Sequence, residues 1–327
     1  MLIAGDIGGT KTHLALYENE RGKTPVFEKK FSSREYPGLT EIVQEFLNMS
    51  KLNVSLVDRA CFGVAGPVVD RQCKTTNLPW MIDGAALEFS LNIAKVGVIN
   101  DLESNAYGLH MLEEDEFLTI HAGQKKTGNQ ALLAAGTGLG EACLYWDGKG
   151  YHPFACEGGH SDFAPRDELE MELLRYLKKQ FGHVSYERVL SGSGLYQLYR
   201  FLIDMQLEKE TAEMRQKFAT IDPPQVITQA AIEGTCHVCI RVVRWFLSIY
   251  GSEAGNVALK FLSLGGVYIG GGIAPRLKEF IGKGEFLRGF TDKGRFRPLL
   301  EEMTIKIVLN DNAALLGALR YAREWMR

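Results

Sequence analysis

A short apolar segment runs straight into a cluster of small residues three times in this 327-residue chain, at Gly8-Gly9-Thr10, Gly136-Thr137-Gly138 and Gly270-Gly271-Gly272. A strand ending in glycines leaves backbone N–H groups with no side chain in front of them, and strand ends of this kind hold polyanions in open α/β sheets. Singly, each cluster is equally an ordinary tight turn. Three in the same context predict a mixed α/β chain that grips a phosphate-bearing ligand from two domains. The first cluster lies between Leu2-Ile3-Ala4 and His13-Leu14-Ala15-Leu16-Tyr17, so it joins two strands and does not open a helix. Counted from Gly5, a P-loop would need its second glycine at Thr10, which excludes that motif. Within Gly5-Asp6-Ile7-Gly8-Gly9-Thr10 the glycines expose amides, Thr10 adds a hydroxyl, and Asp6 is placed to hold Mg²⁺ directly or through water.

The length allows two domains with cores of their own, and 46% hydrophobic with 24% charged residues is ordinary for a soluble globular protein. A net charge of −3 offers no general field for nucleic acid or an anionic membrane. No basic segment precedes Asp6, and the apolar run near Trp245-Phe246-Leu247 is broken by Arg241 and Arg244. A cytoplasmic protein with no nucleic-acid or membrane partner is expected. The cysteines at 61, 73, 143, 156, 236 and 239 are too scattered for a disulfide scaffold and read as reduced thiols. Cys236 and Cys239 have C-x-x-C spacing, but with no second pair they read as incidental cysteines in a buried helix expected over Ile232 to Tyr250.

Apolar periodicity alternates between strand-like and helix-like, with no internal repeat. A helix over Leu39–Leu47 precedes a strand at Arg59–Val64 that ends in Ala65-Gly66-Pro67. Strand Lys95–Ile99 runs into Asn100-Asp101 and a helix from Leu102 to Met111; the polar stretch 122–129 reads as a surface turn near a domain junction. Helices are expected over Asp167–Phe181 and Tyr186–Met205, and Asn310-Asp311-Asn312 is a natural cap for a last helix, Ala313–Trp325. Asp101 is either that kind of cap or a carboxylate projecting from a strand end. Glu157-Gly158-Gly159-His160 leaves room for a small polar ligand between two polar side chains, and Glu187 is either a further acceptor or a solvated helix residue. Such donors and acceptors suit a polyhydroxylated ligand.

In order and spacing, Gly5-Asp6-Ile7-Gly8-Gly9-Thr10, Ile99-Asn100-Asp101, Ala135–Gly140, Glu157–Pro165, Glu187–Gly192 and Gly270–Ile273 resemble the bacterial-type ATP-dependent glucokinases of the actin-like sugar-kinase superfamily. The resemblance covers essentially the whole chain. Its specific parts are Glu157-Gly158-Gly159-His160 with the Asp162-Phe163-Ala164-Pro165 tail, and Glu187-Arg188-Val189-Leu190-Ser191-Gly192. It implies an α/β fold of two RNase H-like (actin-like ATPase) domains with a ligand cleft between them. The small domain would be 1–110 completed by a C-terminal helix at 311–327, and the large one 111–310. It further implies transfer of the γ-phosphate of ATP to the 6-hydroxyl of D-glucose, with Asp101 as catalytic base and Asn100, Asp101, Glu157, His160 and Glu187 on the sugar. Gly5, Asp6, Ile7, Gly8, Gly9, Thr10, Gly136, Thr137 and Gly138 would serve the phosphates, Gly270, Gly271 and Gly272 the nucleoside, and Asp6 the Mg²⁺, in what is often a homodimer.

Lys11 departs from the pattern, standing where many of this group have Asn, and a lysine there also occurs in the related ROK family of kinases and repressors. That family carries a cysteine-rich zinc motif that this sequence lacks; Cys156 and His160 would supply only two ligands. A ROK-type sugar-responsive regulator would need a helix-turn-helix ahead of the kinase core, and the expected phosphate loop begins at Gly5, so an enzyme is expected. A nucleotide-driven scaffold would have no need of Glu157, His160 and Glu187. A kinase for another hexose is the remaining alternative.

Overall fold

Successive side chains of β1 (Leu2–Ile7) point to opposite sides of its sheet, and both sides are covered. Ile3 and Ile7 join Leu14, Phe46, Phe62 and Val98 in one core, while Leu2 and Ala4 join Tyr17, Ile99, Leu315 and Leu319 in another. Burial on both sides explains why this strand is apolar without alternation. The computed structural model describes residues 1–18, 22–52, 54–324 and 326. It divides into two compact units, Met1–Glu114 with His152–Ala155 and Asn310–Arg327, and Asp115–Tyr151 with Cys156–Leu309. Compared with the expected bounds, residues 111–114, 152–155 and 310 fall in the first unit. Met111 and Leu112 do so because they pack against the core that holds Leu315.

In the first unit β1 is followed by β2 (Lys11–Tyr17), β3 (Phe27–Ser32), α1 (Leu39–Ser50), β4 (Arg59–Val64), β5 (Gln72–Lys74), β6 (Met81–Asp83), α2 (Gly84–Leu91), β7 (Lys95–Asn100) and α3 (Asp101–Leu109). The sheet order is β3-β2-β1-β4-β7, with β1, β2 and β3 antiparallel and β1, β4 and β7 parallel.

The second unit contains β8 (Phe117–His121), β9 (Gln130–Ala135), β10 (Leu139–Trp146), β11 (Tyr151–Cys156), α4 (Glu168–Phe181), α5 (Gly192–Asp204), α6 (Ala212–Thr220), α7 (Pro223–Ile232), α8 (His237–Phe261), β12 (Gly266–Gly270), α9 (Lys278–Ile281), α10 (Glu285–Thr291), α11 (Arg297–Glu301) and β13 (Ile305–Val308). Its sheet runs β11-β10-β9-β12-β13-β8, with β9 and β10 antiparallel and β9, β12 and β13 parallel. The first five strands of that order repeat the plan of the other sheet, and β8 is an addition. Sequence shows no repeat, but topology does. The chain then returns to the first unit as α12 (Ala313–Glu324), where Gly108 and Gly317 let α3 and α12 meet backbone to backbone.

Helix α8 forms the heart of the second core, with Val242, Phe246, Leu247, Tyr250 and Ala254 fully buried. No single helix among the described residues is long and apolar enough to cross a membrane. Among the described residues, α7 and α8 meet that test only when taken together, across a 101° bend.

Two helix expectations are corrected. Tyr186–Met205 is not one helix: Tyr186–Arg188 is a single 3₁₀ turn, and α5 begins at Gly192 because Ser191 Oγ accepts the Gly194 N–H at 3.1 Å and caps it. The helix expected from Ile232 begins at His237, since Gly234 adopts φ 71° after α7. Cys236 therefore precedes the first turn of α8, and Cys239 alone of the pair is buried inside it. At the other end α12 stops at Glu324, and the expected end at Trp325 lies outside the described residues, as does Arg327.

Candidate active site

The first glycine cluster is the tip of the β1–β2 hairpin. Gly8 N–H donates to Lys11 O at 2.9 Å, and Ser33 N–H donates to Thr10 O at 3.0 Å. Ser33 Oγ donates to Gly8 O at 2.8 Å and lies 3.0 Å from Thr12 Oγ1, so one buried serine fastens both ends of the turn. A side chain on Gly9 would meet Asn77, and one on Gly5 would meet Phe62 and Leu14. Ile7 is buried to 1% exposure, so any ligand contact there is made by its main chain. Thr10 and Lys11 are exposed. Asp6, paired across the sheet with His13 and Gly63, has its carboxyl pushed up to about 6 by burial, with Lys30 pulling the other way. Among the described residues no three acidic, histidine or cysteine side chains gather as a metal cage. A lone carboxylate nevertheless suits Mg²⁺, which keeps several waters and takes one or two carboxylates alongside substrate phosphates.

Asn100 and Asp101 divide the work at the end of β7. Asn100 is the cap: its Oδ1 accepts the N–H groups of Leu102 at 2.8 Å and Glu103 at 3.3 Å, while Nδ2 donates to Gly66 O at 3.0 Å. The capping role open to Asp101 thus belongs to its neighbour, and α3 starts one residue earlier than the sequence suggests. Asp101 is the first helical residue, half-buried, with Oδ1 accepting Leu102 N–H at 2.9 Å. Its carboxylate stands at a helix N-terminus, which favours the anion. Gly63 on β4 brings α3 in close, because a side chain there would collide with Ser104.

In the second unit the other two glycine clusters come together. Gly136-Thr137-Gly138 is the β9–β10 turn, closed by Gly136 N–H to Gly138 O at 2.8 Å. The third cluster leaves β12 and is fastened to the end of β9, where Ile273 N–H donates to Ala135 O at 3.2 Å. Gly271 requires glycine, having φ 77° and the Ala135 backbone where a side chain would stand. At Gly136 and Gly272 a side-chain carbon would have nothing within 4 Å, so the fold itself does not require glycine at either position.

Three polar side chains converge beside the β9–β10 turn. Glu187 Oε2 accepts Leu139 N–H at 3.0 Å and occupies the space a side chain on Gly138 would need. Its Oε1 is 4.0 Å from His160 Nδ1, and His160 Nε2 is 3.9 Å from Glu157 Oε2. Glu157 and His160 are more than half exposed while Glu187 is 30% exposed, so the group presents acceptors and an imidazole outward from a recessed base.

A family model described as Glucokinase matches residues 3–325. The chain belongs to the glucokinase family. It is 42% identical to the glucokinase of Trichormus variabilis over 335 aligned positions, covering 97% of each chain. The crystal structure of a glucokinase from an Antarctic psychrotroph superposes with a TM-score of 0.82 at 30% identity, covering 98% of both chains. A ROK family glucokinase from Streptomyces griseus, solved with glucose and AMPPNP, shares the fold with a TM-score of 0.68 at 20% identity, covering 99% of both chains. The fold is thus the actin-like ATPase fold of these sugar kinases, and the activity is ATP-dependent phosphorylation of glucose.

The residues expected to serve a glucokinase divide by unit. Asp6, the Gly8-Gly9-Thr10 turn, Asn100 and Asp101 lie in the first unit; Glu157, His160, Glu187 and the two later glycine clusters lie in the second. Sequence reasoning missed Ser33 and Asn77, which shape the first turn, because each contact spans many residues and neither sits in a motif. It also missed Glu141, which is 2% exposed on β10 beneath the Glu157–His160 turn. An acid inside the apolar run Leu139–Trp146 was the available signal.

Proposed function

We propose that Asp101 is the general base of the glucokinase reaction, that Glu157, His160, Glu187 and Asn100 hold the hexose hydroxyls, and that the glycine turns hold ATP. The Streptomyces griseus structure carries glucose and AMPPNP, and we assign the same pair of ligands here, with ATP for the analogue. Asp101 takes the proton of the glucose 6-hydroxyl as that oxygen bonds to the γ-phosphorus; the bond from phosphorus to the β,γ-bridging oxygen breaks, and ADP leaves. Backbone N–H groups of the Gly8-Gly9-Thr10 and Gly136-Thr137-Gly138 turns, other than the Gly8 and Gly136 N–H groups that close those turns, face the charge that develops on the phosphoryl oxygens, and Gly270-Gly271-Gly272 lies beside the nucleoside. Mg²⁺, when bound with the nucleotide near Asp6, supplies neutralising charge. Asn100 fixes the start of α3 and so the place of Asp101.

Glu187 carries this reading. One carboxylate takes an N–H of the phosphate turn with one oxygen and approaches His160 with the other, so the sugar residues and a phosphate turn share a single anchor. The test is a coupled ADP-release assay with Mg-ATP and a panel of hexoses, run on the wild type and on Glu187→Gln. Glucose-stimulated ADP release, with KM for glucose and for ATP both raised in the variant, is expected; an unchanged KM for glucose overturns the assignment of Glu187.

A further inference from the structure

Glu141 lies on β10, two residues beyond the Leu139 that binds Glu187, and is 2% exposed. The Gly158-Gly159 backbone is laid directly on this stretch of strand. A side chain on Gly159 would run into the Leu139 carbonyl, and one on Gly158 would run into the Glu141 carboxyl. Cys156, just before the turn, donates from Sγ to Glu141 O at 3.5 Å. One carboxyl oxygen, Oε1, has no hydrogen-bond partner among the described residues. A buried acid with an unpartnered oxygen costs stability where an apolar residue would fill the space, so packing alone does not account for it.

We infer that Glu141 is a positioning residue for hexose binding: its buried carboxyl props the Gly158-Gly159 backbone from below and so fixes where Glu157 and His160 stand. This rests on the assignment of Glu157 and His160 to the hexose. The surroundings keep the carboxyl neutral. Burial, and then the charge of Glu253 on α8, push it up to about 8, with Lys260 on α8 opposing. Tyr250 on the same helix and Cys156 beside the turn are themselves pushed up by burial and by Glu141, so they stay neutral and add no charge. Glu253 is fully buried and is itself pushed up by burial; its Oε2 accepts from Asn256 Nδ2 at 2.8 Å, and Lys260 Nζ stands 3.7 Å from its Oε1, beyond hydrogen-bond reach. When Glu141 ionises, the turn rests on a desolvated charge facing a second acid, and the sugar residues shift.

The experiment compares KM for glucose, KM for ATP and kcat from about pH 6.5 to 9 in wild type, Glu141→Gln, Glu141→Ala and Glu157→Gln. The wild-type KM for glucose rises above about pH 8 while KM for ATP stays level. Glu141→Gln, which keeps the shape and cannot ionise, loses that rise. Glu141→Ala raises KM for glucose about tenfold, the scale of a small misplacement of binding groups, and leaves KM for ATP within about twofold. Should the alanine variant fail to fold, the pH profile of the glutamine variant decides alone. A KM for glucose that rises equally with pH in wild type and Glu141→Gln overturns the inference. If Glu157→Gln also leaves KM for glucose unchanged, the assignment of the turn to the hexose falls as well; if Glu157→Gln raises it, only the role of Glu141 is lost.

Discussion

The carboxylate of Glu187 fills the space that a side chain on Gly138 would need, and accepts the Leu139 N–H at 3.0 Å. Gly138 is therefore a glycine for the sake of Glu187, whereas Gly136, two residues earlier, has open space where its side chain would stand. The two glycines make opposite predictions. Gly138→Ala pushes Glu187 aside and should lower kcat/KM for glucose by about a hundredfold, the cost of misplacing a binding group. Gly136→Ala should leave the thermal midpoint within about 2 °C, because nothing in the protein meets the new methyl, yet raise KM for ATP if that space belongs to the phosphates. Melting curves and steady-state kinetics on the two proteins separate the cases.

Asn100 caps α3 in addition to the hexose contact proposed for it, whereas Asp101 is the proposed base and does not cap, so substitution should affect stability at the first and spare it at the second. Asn100→Ala removes the cap of α3 and should cost about 1 kcal/mol of stability, read by denaturant unfolding. Asp101→Asn keeps that cap and the fold, and should lower kcat about 10²-fold or more with little change in the unfolding midpoint. Near-normal turnover in Asp101→Asn would remove it from the role of base.

The strand-turn segments were legible in sequence because each combines an apolar run with residues that only a turn tolerates. Hence β1 to β2, β4, β7, β9 and β12 fall where the pattern puts them. Legibility failed where a local cap overruled periodicity. Ser191 divides the apolar stretch after Tyr186, and Gly234 divides α7 from α8. At the site, Glu157, His160 and Glu187 were readable as types, but their meeting within 4.0 Å depends on a turn laid across β10. Contacts of that kind, like Ser33 to Gly8 and Asn77 to Gly9, leave no periodic trace, since they join residues far apart in the chain.

The returning helix makes a structural prediction. A side chain on Gly108 would strike the Ala313 carbonyl and one on Gly317 the Ser104 carbonyl, both of them backbone atoms that cannot swing away. Ser104 Oγ also donates to Ala314 O at 2.7 Å, which ties α3 to the first turn of α12. Gly317→Ala should destabilise the protein by about 3 kcal/mol or more by forcing the helices apart. The same change at Gly150, where the space is open, should be nearly silent; a native-like unfolding midpoint for Gly317→Ala would refute the close approach.

The place proposed for Asp6 beside Mg²⁺ predicts that nucleotide binding depends on pH. The folded Asp6 carboxyl titrates near 6, above the ordinary 3.8, because burial disfavours the charge more than Lys30 favours it. A raised carboxyl means that the folded state holds its proton more tightly than the unfolded chain. The associated stability is complete below about pH 4 and is lost as pH rises through 6. Asp6→Asn should therefore raise the thermal midpoint at about pH 8 and leave it unchanged at about pH 4. The nucleotide responds with the opposite sign, since only the carboxylate attracts Mg²⁺. KM for Mg-ATP should rise as pH falls through 6 in the wild type. In Asp6→Asn, KM should be high at every pH and should lose that inflection. An inflection near 6 that survives in Asp6→Asn would assign it to another group.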